Sequence, residues 1–377
     1  MEDKSVGEGG VSGQVLSTAA QVRVTFSDAR GWVIADLGTR KSYRIDARQA
    51  AIAVAFMSPC TRAEVKSFLQ DLVGVRELDE RIDALIAEHL VQDASASAIA
   101  FSTYRKWNEL GWSEAHDYLV ATSNFPFVDY SKGGQEVDKS RMRGFALESP
   151  DETRSLARKG AKVATLPTVR SALEELSLTS EGGALKEKLL RTAAVAVLPL
   201  EWRRSRTPGR SHMRRTSPSG GSRHPTELYL LALDVPDLAR GIYHFSIESG
   251  DIGFVAEAPS DEILSRNMIG AFRLAAPPRA VFILTTHFQR NMYRYREPRT
   301  FRTLYLDAGH LGGLIESVCE AQGLMAHGHH GFQDSFVADL VKSDGLAIES
   351  PTYLVSVGLA SEVRDGVRII GESRLRP

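Results

Sequence analysis

The chain has 377 residues, 43% hydrophobic and 25% charged, the balance of an ordinary folded protein rather than a disordered one. Its 46 basic and 47 acidic side chains leave a formal charge of -1, which excludes a uniformly basic nucleic-acid binder. With only Cys60 and Cys319, a disulfide-stapled framework and a cysteine-rich metal centre within one chain are also excluded.

At about 150 residues per domain, the length predicts two or three domains. Residues 1–20 are small and polar and are expected to form a flexible tail with no secretory leader. No stretch reaches the ~18 apolar residues needed to span a bilayer, so a cytoplasmic, non-membrane protein is expected. From Gln21, Val22, Val24 and Phe26 alternate with polar positions, and a turn leads to Trp32-Val33-Ile34-Ala35, which predicts two short strands. Ala50 to Phe56 reads as a buried helix. Thr61 followed by Glu64 predicts a capping box at the start of a helix over Arg62 to Leu69. A further helix is expected over Leu78 to His89, with Ile82, Leu85 and Ile86 as its apolar stripe. Residues 21–95 therefore form a small domain resembling a winged helix-turn-helix, suited to packing or peptide recognition. Its acids Asp71, Asp79, Glu80, Asp83 and Glu88 weigh against nucleic acid.

Residues 96–150 read as an aromatic-rich helical connector, with a helix from near Ser113 and an exposed loop at Ser131 to Gly134. Residues 151–197 look helical, broken at Pro167 and Gly182-Gly183. Strands are then expected at Leu228 to Val235, at Gly241 to Phe245 with Gly253 to Ala256 as a hairpin, at Ala280 to Thr286 and at Tyr353 to Gly358. Helices should cover Thr303 to Gln322 and Ser335 to Val341. Interspersed strands and helices without βαβ regularity point to an α+β fold, and neither a dinucleotide fingerprint nor a P-loop is present.

The most unusual stretch is Arg214 to Pro225, immediately before a predicted strand. Pro218 fixes one backbone angle, while Gly220 and Gly221 permit tight bending and close approach of another group. Ser217, Ser219 and Ser222 offer hydroxyls, which suits an oxygen- and nitrogen-rich planar cofactor; an ordinary surface turn also accounts for the composition. Arg203, Arg204, Arg206, Arg210, Arg214, Arg215 and Arg223 accumulate with no acid before Glu227, a charge that a nucleotide phosphate or an anionic peptide could meet.

Thr216-Ser217-Pro218-Ser219-Gly220-Gly221-Ser222-Arg223-His224-Pro225-Thr226-Glu227-Leu228-Tyr229 resembles the signature of SagB-type dehydrogenases, the peptide-maturation branch of the nitroreductase superfamily. Gly241-Ile242-Tyr243-His244-Phe245, Phe301-Arg302, Asp307-Ala308-Gly309-His310, Gly323-Leu324 and Gly331-Phe332 resemble the elements that follow it in that family. The resemblance implies a nitroreductase-like α+β catalytic domain over 151–377 and an FMN-dependent oxidoreductase acting on a ribosomally synthesised precursor peptide. It also implies a homodimer with flavin at the subunit interface and a partner peptide-modifying enzyme. By analogy Ser217, Ser219, Gly220, Gly221, Arg223 and His224 lie near the flavin, with Arg158, Lys162, Arg364 and Arg368 as candidate phosphate contacts. The 21–95 domain would hold a leader peptide.

Azoline-oxidising relatives carry a Lys-Tyr pair where this chain has Tyr293-Arg294-Tyr295-Arg296. Arginine stays protonated near neutrality and does not replace a lysine base. Tyr295 is the preferred acid-base candidate and Tyr293 the second, with Arg294 or Arg296 supplying a cation or holding an enolate-like oxygen. Another peptide dehydrogenation therefore fits better than azoline oxidation. No metal is expected at His327, His329 and His330, which lack an intervening acidic partner. Two other readings remain open: a flavin-free scaffold that binds the peptide for a partner enzyme, and a DNA-binding regulator.

Overall fold

The computed structural model describes residues 14–148, 156–178, 183–203, 212–273 and 276–362. It divides into two compact units, Met1–Pro126 and Phe127–Pro377.

In the first unit β1 (Val15–Thr18), β2 (Val22–Ser27), β3 (Gly31–Asp36) and β4 (Lys41–Ile45) precede α1 (Ala47–Ala55), β5 (Cys60–Thr61), α2 (Arg62–Leu69), α3 (Val75–Ala87) and β6 (Val91–Asp93). β2, β3 and β4 form an antiparallel meander, and β1 lies between β5 and β6. The expected capping box is present: Thr61 Oγ1 accepts from the Glu64 amide while Glu64 accepts from the Thr61 amide. Leu78, Ile82 and Leu85 of α3 meet Ile52, Phe56 and Val65 in a core of the unit's own. The flexible tail expected over 1–20 does not extend through its last residues. Leu16 enters that core, and the Thr18 amide donates to Phe56 O at 2.7 Å. Short polar side chains misled the reading because a strand paired on both edges is stabilised by its backbone rather than by their polarity.

The 96–150 connector is likewise not one piece. α4 (Ala94–Glu109) and α5 (Ser113–Thr122) belong to the first unit and turn at Gly111, whose φ is +75°. Trp107 packs edge-on against Trp112 and His116, which explains the aromatic density. α6 (Gly134–Glu148) belongs to the second unit.

The second unit continues with β7 (Ala161–Thr165), α7 (Val169–Leu178), α8 (Leu185–Val197), β8 (Glu201–Arg203), β9 (His212–Arg214), β10 (Thr226–Ala232), β11 (Gly241–Ser246) and β12 (Asp251–Ala256). Then come α9 (Asp261–Asn267), β13 (Ala280–His287), α10 (Phe288–Arg294), α11 (Phe301–Ala321), β14 (Leu324–His329), α12 (Asp334–Leu340) and β15 (Glu349–Leu359). Seven strands form one antiparallel sheet in the order β14-β15-β13-β10-β11-β12-β7. The fold is α+β, as expected. Along β10, Leu228, Leu230 and Ala232 face a core shared with α8 and α11, whereas Tyr229, Leu231 and Leu233 face one shared with α9 and α12. Helices cover both faces, so the strand reads as a continuous apolar run instead of an alternation. β7 corrects the helical expectation for 151–197: Ala161–Thr165 adds to the edge strand β12, a pairing that no local periodicity announces. No described helix is long and apolar enough to cross a membrane.

Candidate functional site

β9 ends at Arg214 and β10 begins at Thr226, so the intervening bend sits at one end of the sheet. Because β13 runs antiparallel to β10, Thr286 lies opposite Thr226 and α10 starts beside the bend. The His287 amide donates to Pro225 O at 2.9 Å, and α11 lies against the other side.

Asp307 of α11 pins the bend. Its carboxylate accepts from Ser219 Oγ at 2.6 Å and from the Gly220 amide at 3.2 Å, and Ser219 Oγ in turn accepts from the His224 amide at 2.8 Å. Burial pushes the Asp307 carboxyl up from its ordinary value, partly offset by these two donors. Gly221, Ser222 and His224 have φ of 59°, 53° and 47°. Left-handed angles are costly for Ser and His, so this backbone persists only because its surroundings hold it.

Several of the side chains expected to lie near a flavin are turned into the fold. Arg223 is buried, donates from Nε to Arg290 O at 2.7 Å and stacks its guanidinium 5.1 Å from the Tyr293 ring centre. The His224 ring meets Met213 O at 2.7 Å. Ser217 is also buried, facing a crevice beneath the bend. Arg214, Pro218 and Gly221 are the exposed positions of the bend, and Gly221 is the one beside α10. There Tyr295 packs so closely that an added β-carbon would lie 3.0 Å from its Cζ and nearer still to its hydroxyl. Arg294 stacks 5.3 Å from the Tyr295 ring centre and pairs with Asp138 at 3.1 Å. The structure thus brings Tyr293, Arg294 and Tyr295 to the bend.

It does not bring the other expected cations there. Arg296 stacks on Phe145 and pairs with Glu148, both on α6. Arg158 pairs with Asp251 at 2.6 Å, and Lys162 reaches the same carboxylate at 3.7 Å, on a strand two removed from β10. Asp251 is buried, and it draws both cations to that edge. Arg364 and Arg368 lie outside the described residues, as do Arg204, Arg206 and Arg210.

Beneath the bend lies a buried polar network that motif reading passed over. Glu227 is paired with Arg290, accepts the Leu156 amide at 3.1 Å and meets His244 Nε2 at 3.2 Å. Burial opposes ionisation of Glu227, but Arg290 and His244 outweigh it and hold the carboxyl at about 2. His244 Nδ1 accepts the Lys159 amide at 3.2 Å, which places the imidazole hydrogen on Nε2 toward Glu227. Next to it, Glu349 accepts from Tyr229 Oη at 2.8 Å, Thr285 Oγ1 at 2.6 Å and Lys159 Nζ at 3.2 Å. Glu227, Tyr229 and His244 stood inside the quoted motifs; their partners Arg290 and Glu349 carried no sequence signal, and Lys159 stood out only as one of the basic residues beside Arg158 and Lys162.

Among the described residues, no group of three or more His, Cys, Asp or Glu is placed to hold a metal ion. His329 instead bonds through Nε2 to Ser356 Oγ at 2.9 Å, on β14 rather than on a loop.

No family profile matches the chain. It is 35% identical over 109 residues to the trifolitoxin-processing protein TfxB of Rhizobium leguminosarum bv. trifolii, a match covering 26% of this chain and 28% of TfxB. It is 24% identical over 144 residues to the candidate nitroreductase MJ1384 of Methanocaldococcus jannaschii, covering 38% of this chain and 70% of that protein. Among solved structures, a candidate nitroreductase of Anabaena variabilis overlaps 58% of this chain and 46% of its own at TM-score 0.43 and 20% identity. One chain of the E. coli microcin synthetase McbBCD complex with truncated pro-MccB17 bound overlaps 64% of this chain and 96% of its own at TM-score 0.37 and 20% identity. The sequence matches, each over a part of the chain, point to the nitroreductase superfamily.

Proposed function

We propose that the protein is an FMN-dependent dehydrogenase that removes two electrons and two protons from one residue of a ribosomally made precursor peptide. The observation that carries this reading is the seating of Tyr295 against Gly221, with Arg294 over its ring, at the bend whose sequence resembles the SagB-type signature. The bend suits a flavin in two respects. Gly221 lets the Tyr295 hydroxyl come against the backbone at the exposed rim, and Asn291 Oδ1, on the adjoining α10, is a buried acceptor with no partner among the described residues. Gly220, Gly221 and Asn291 would hold the ring system, while Ser217, Ser219, Arg223 and His224 shape the wall from behind. When bound, FMN supplies the two-electron acceptor. Tyr295, acting as its phenolate, would take the substrate proton and become the phenol, with the Arg294 guanidinium stacked on its ring to hold it in place.

Exposed Met292, Phe301, Tyr305 and Leu306 on α10 and α11 support a homodimer closing over this face. The winged-helix-like part of the first unit, with its own core and its exposed Phe68 and Leu72, is proposed to hold the leader peptide. One observation favours the flavin-free scaffold instead: Arg158 and Lys162, two of the four expected phosphate contacts, are both drawn to Asp251.

Purified protein should be yellow with one FMN per chain, and incubation with the precursor peptide should remove two hydrogens from one residue by mass spectrometry. Tyr295→Phe should lower that rate about 10²–10⁴-fold while keeping the flavin. Protein that binds the peptide but neither flavin nor changes its mass would replace this reading with the scaffold.

A further inference from the structure

The crevice beneath the bend has a chemistry of its own. Arg215, Ser217, Thr226 and Asp307 line it together with the apolar Ala196 and Leu311. Arg215 is 9% exposed, and its Nε and Nη2 are buried with no hydrogen-bond partner among the described residues. Ser217 Oγ and Thr226 Oγ1 are buried without a partner as well. Three orphaned groups on one small crevice are unusual, since buried polar atoms are nearly always satisfied.

All of these groups can donate at once. A guanidinium has donors and no acceptor, and each hydroxyl can turn its hydrogen inward. Asp307 is already committed on its bend side to Ser219 and Gly220, and among the described residues no ion pair joins Arg215 to any carboxylate. Among the described residues the buried carboxylates Glu227 and Asp307 are committed elsewhere, the first to Arg290 and His244 and the second to Ser219 and Gly220. Burial weighs most against the Arg215 cation, Glu227 favours it and Arg290 opposes it; it is held down to about 9, still protonated at neutral pH. An uncompensated buried charge is among the costliest features a fold can keep.

Size narrows the occupant. The crevice leaves about 10 Å³ for the centre of a water-sized sphere, close to the ~10–15 Å³ that one water requires. A monatomic ion is closer to that size than a phosphate or a carboxylate. We propose that Arg215, Ser217 and Thr226 bind a single monatomic anion of the halide class beneath the bend. The ion would complete the donors of Arg215 and brace the floor under Ser217, and neither the ion nor its test requires a bound flavin.

Crystals of the full chain soaked in sodium bromide should show an anomalous bromine peak between Arg215 Nε and Thr226 Oγ1. In solution, the folding equilibrium constant should rise about tenfold for each tenfold increase in chloride above its Kd, with sodium glutamate as the control at equal ionic strength. Arg215→Met should abolish that dependence. Thr226→Val, a milder change, should weaken it and serves if the arginine variant does not fold. Ordered density without anomalous signal would mean a water and would overturn the proposal, as would an equal response to glutamate or a stronger one to phosphate.

Discussion

Gly221 answers to two constraints at once, a left-handed φ of 59° and the ring of Tyr295. Gly221→Ala should cost about 1–3 kcal/mol in urea denaturation, through strain and displacement of that ring. Repeated in a Tyr295→Phe background, which deletes the nearest atom, the same substitution should cost less. An equal cost in both backgrounds would assign everything to the backbone angle. At Arg290 the issue is charge rather than shape. Arg290→Met leaves Glu227 ionised and buried, and should destabilise by about 3–5 kcal/mol, whereas adding Glu227→Gln should recover part of that loss. The sequence made Glu227 and Asp307 visible as motif letters. It could not show what they do, because their partners lie 63 and 88 positions away and are met only after folding.

Among elements, β14 turns a histidine-rich stretch into a titratable edge. Burial, with His327 and His330 nearby, lowers the His329 imidazole from 6.5 to about 4. The folded state therefore favours the neutral ring: its contribution is complete above pH 6.5 and is lost as pH falls toward 4. Discounted for partial exposure, the loss is on the order of 2 kcal/mol. Denaturation of wild type and His329→Gln at pH 7.5 and 4.5 should show a smaller pH difference in the variant. Elements with local signatures were legible: the Thr61–Glu64 box starts α2, and the apolar face of α11 was readable from Leu304 to Cys319. β1 and β7 were not. Each is short, and each is made a strand by neighbours remote in sequence, Cys60 and Val91 for the one and Asp251 to Phe254 for the other. The bend was located by its glycines and serines, but the inward turn of its side chains follows from Asp307, Met213 and Arg290, which no spacing rule connects to it.

Across the molecule, each unit carries a separate hydrophobic core, and the larger holds its sheet between two of them. The stretch from Leu156 to Gly160, before β7, forms no helix or strand. Yet its amides at Leu156 and Lys159 donate to Glu227 and His244, side chains with no solvent exposure, and Lys159 Nζ reaches Val341 O, Lys342 O and Glu349. The two amides are tied to acceptors that meet no water while β10 and β11 stay shut. In deuterium-exchange experiments both protons should persist as long as those at the centre of the sheet, and Glu227→Gln should release Leu156 first. A segment that looks like slack cord would then be among the last parts of the protein to let go.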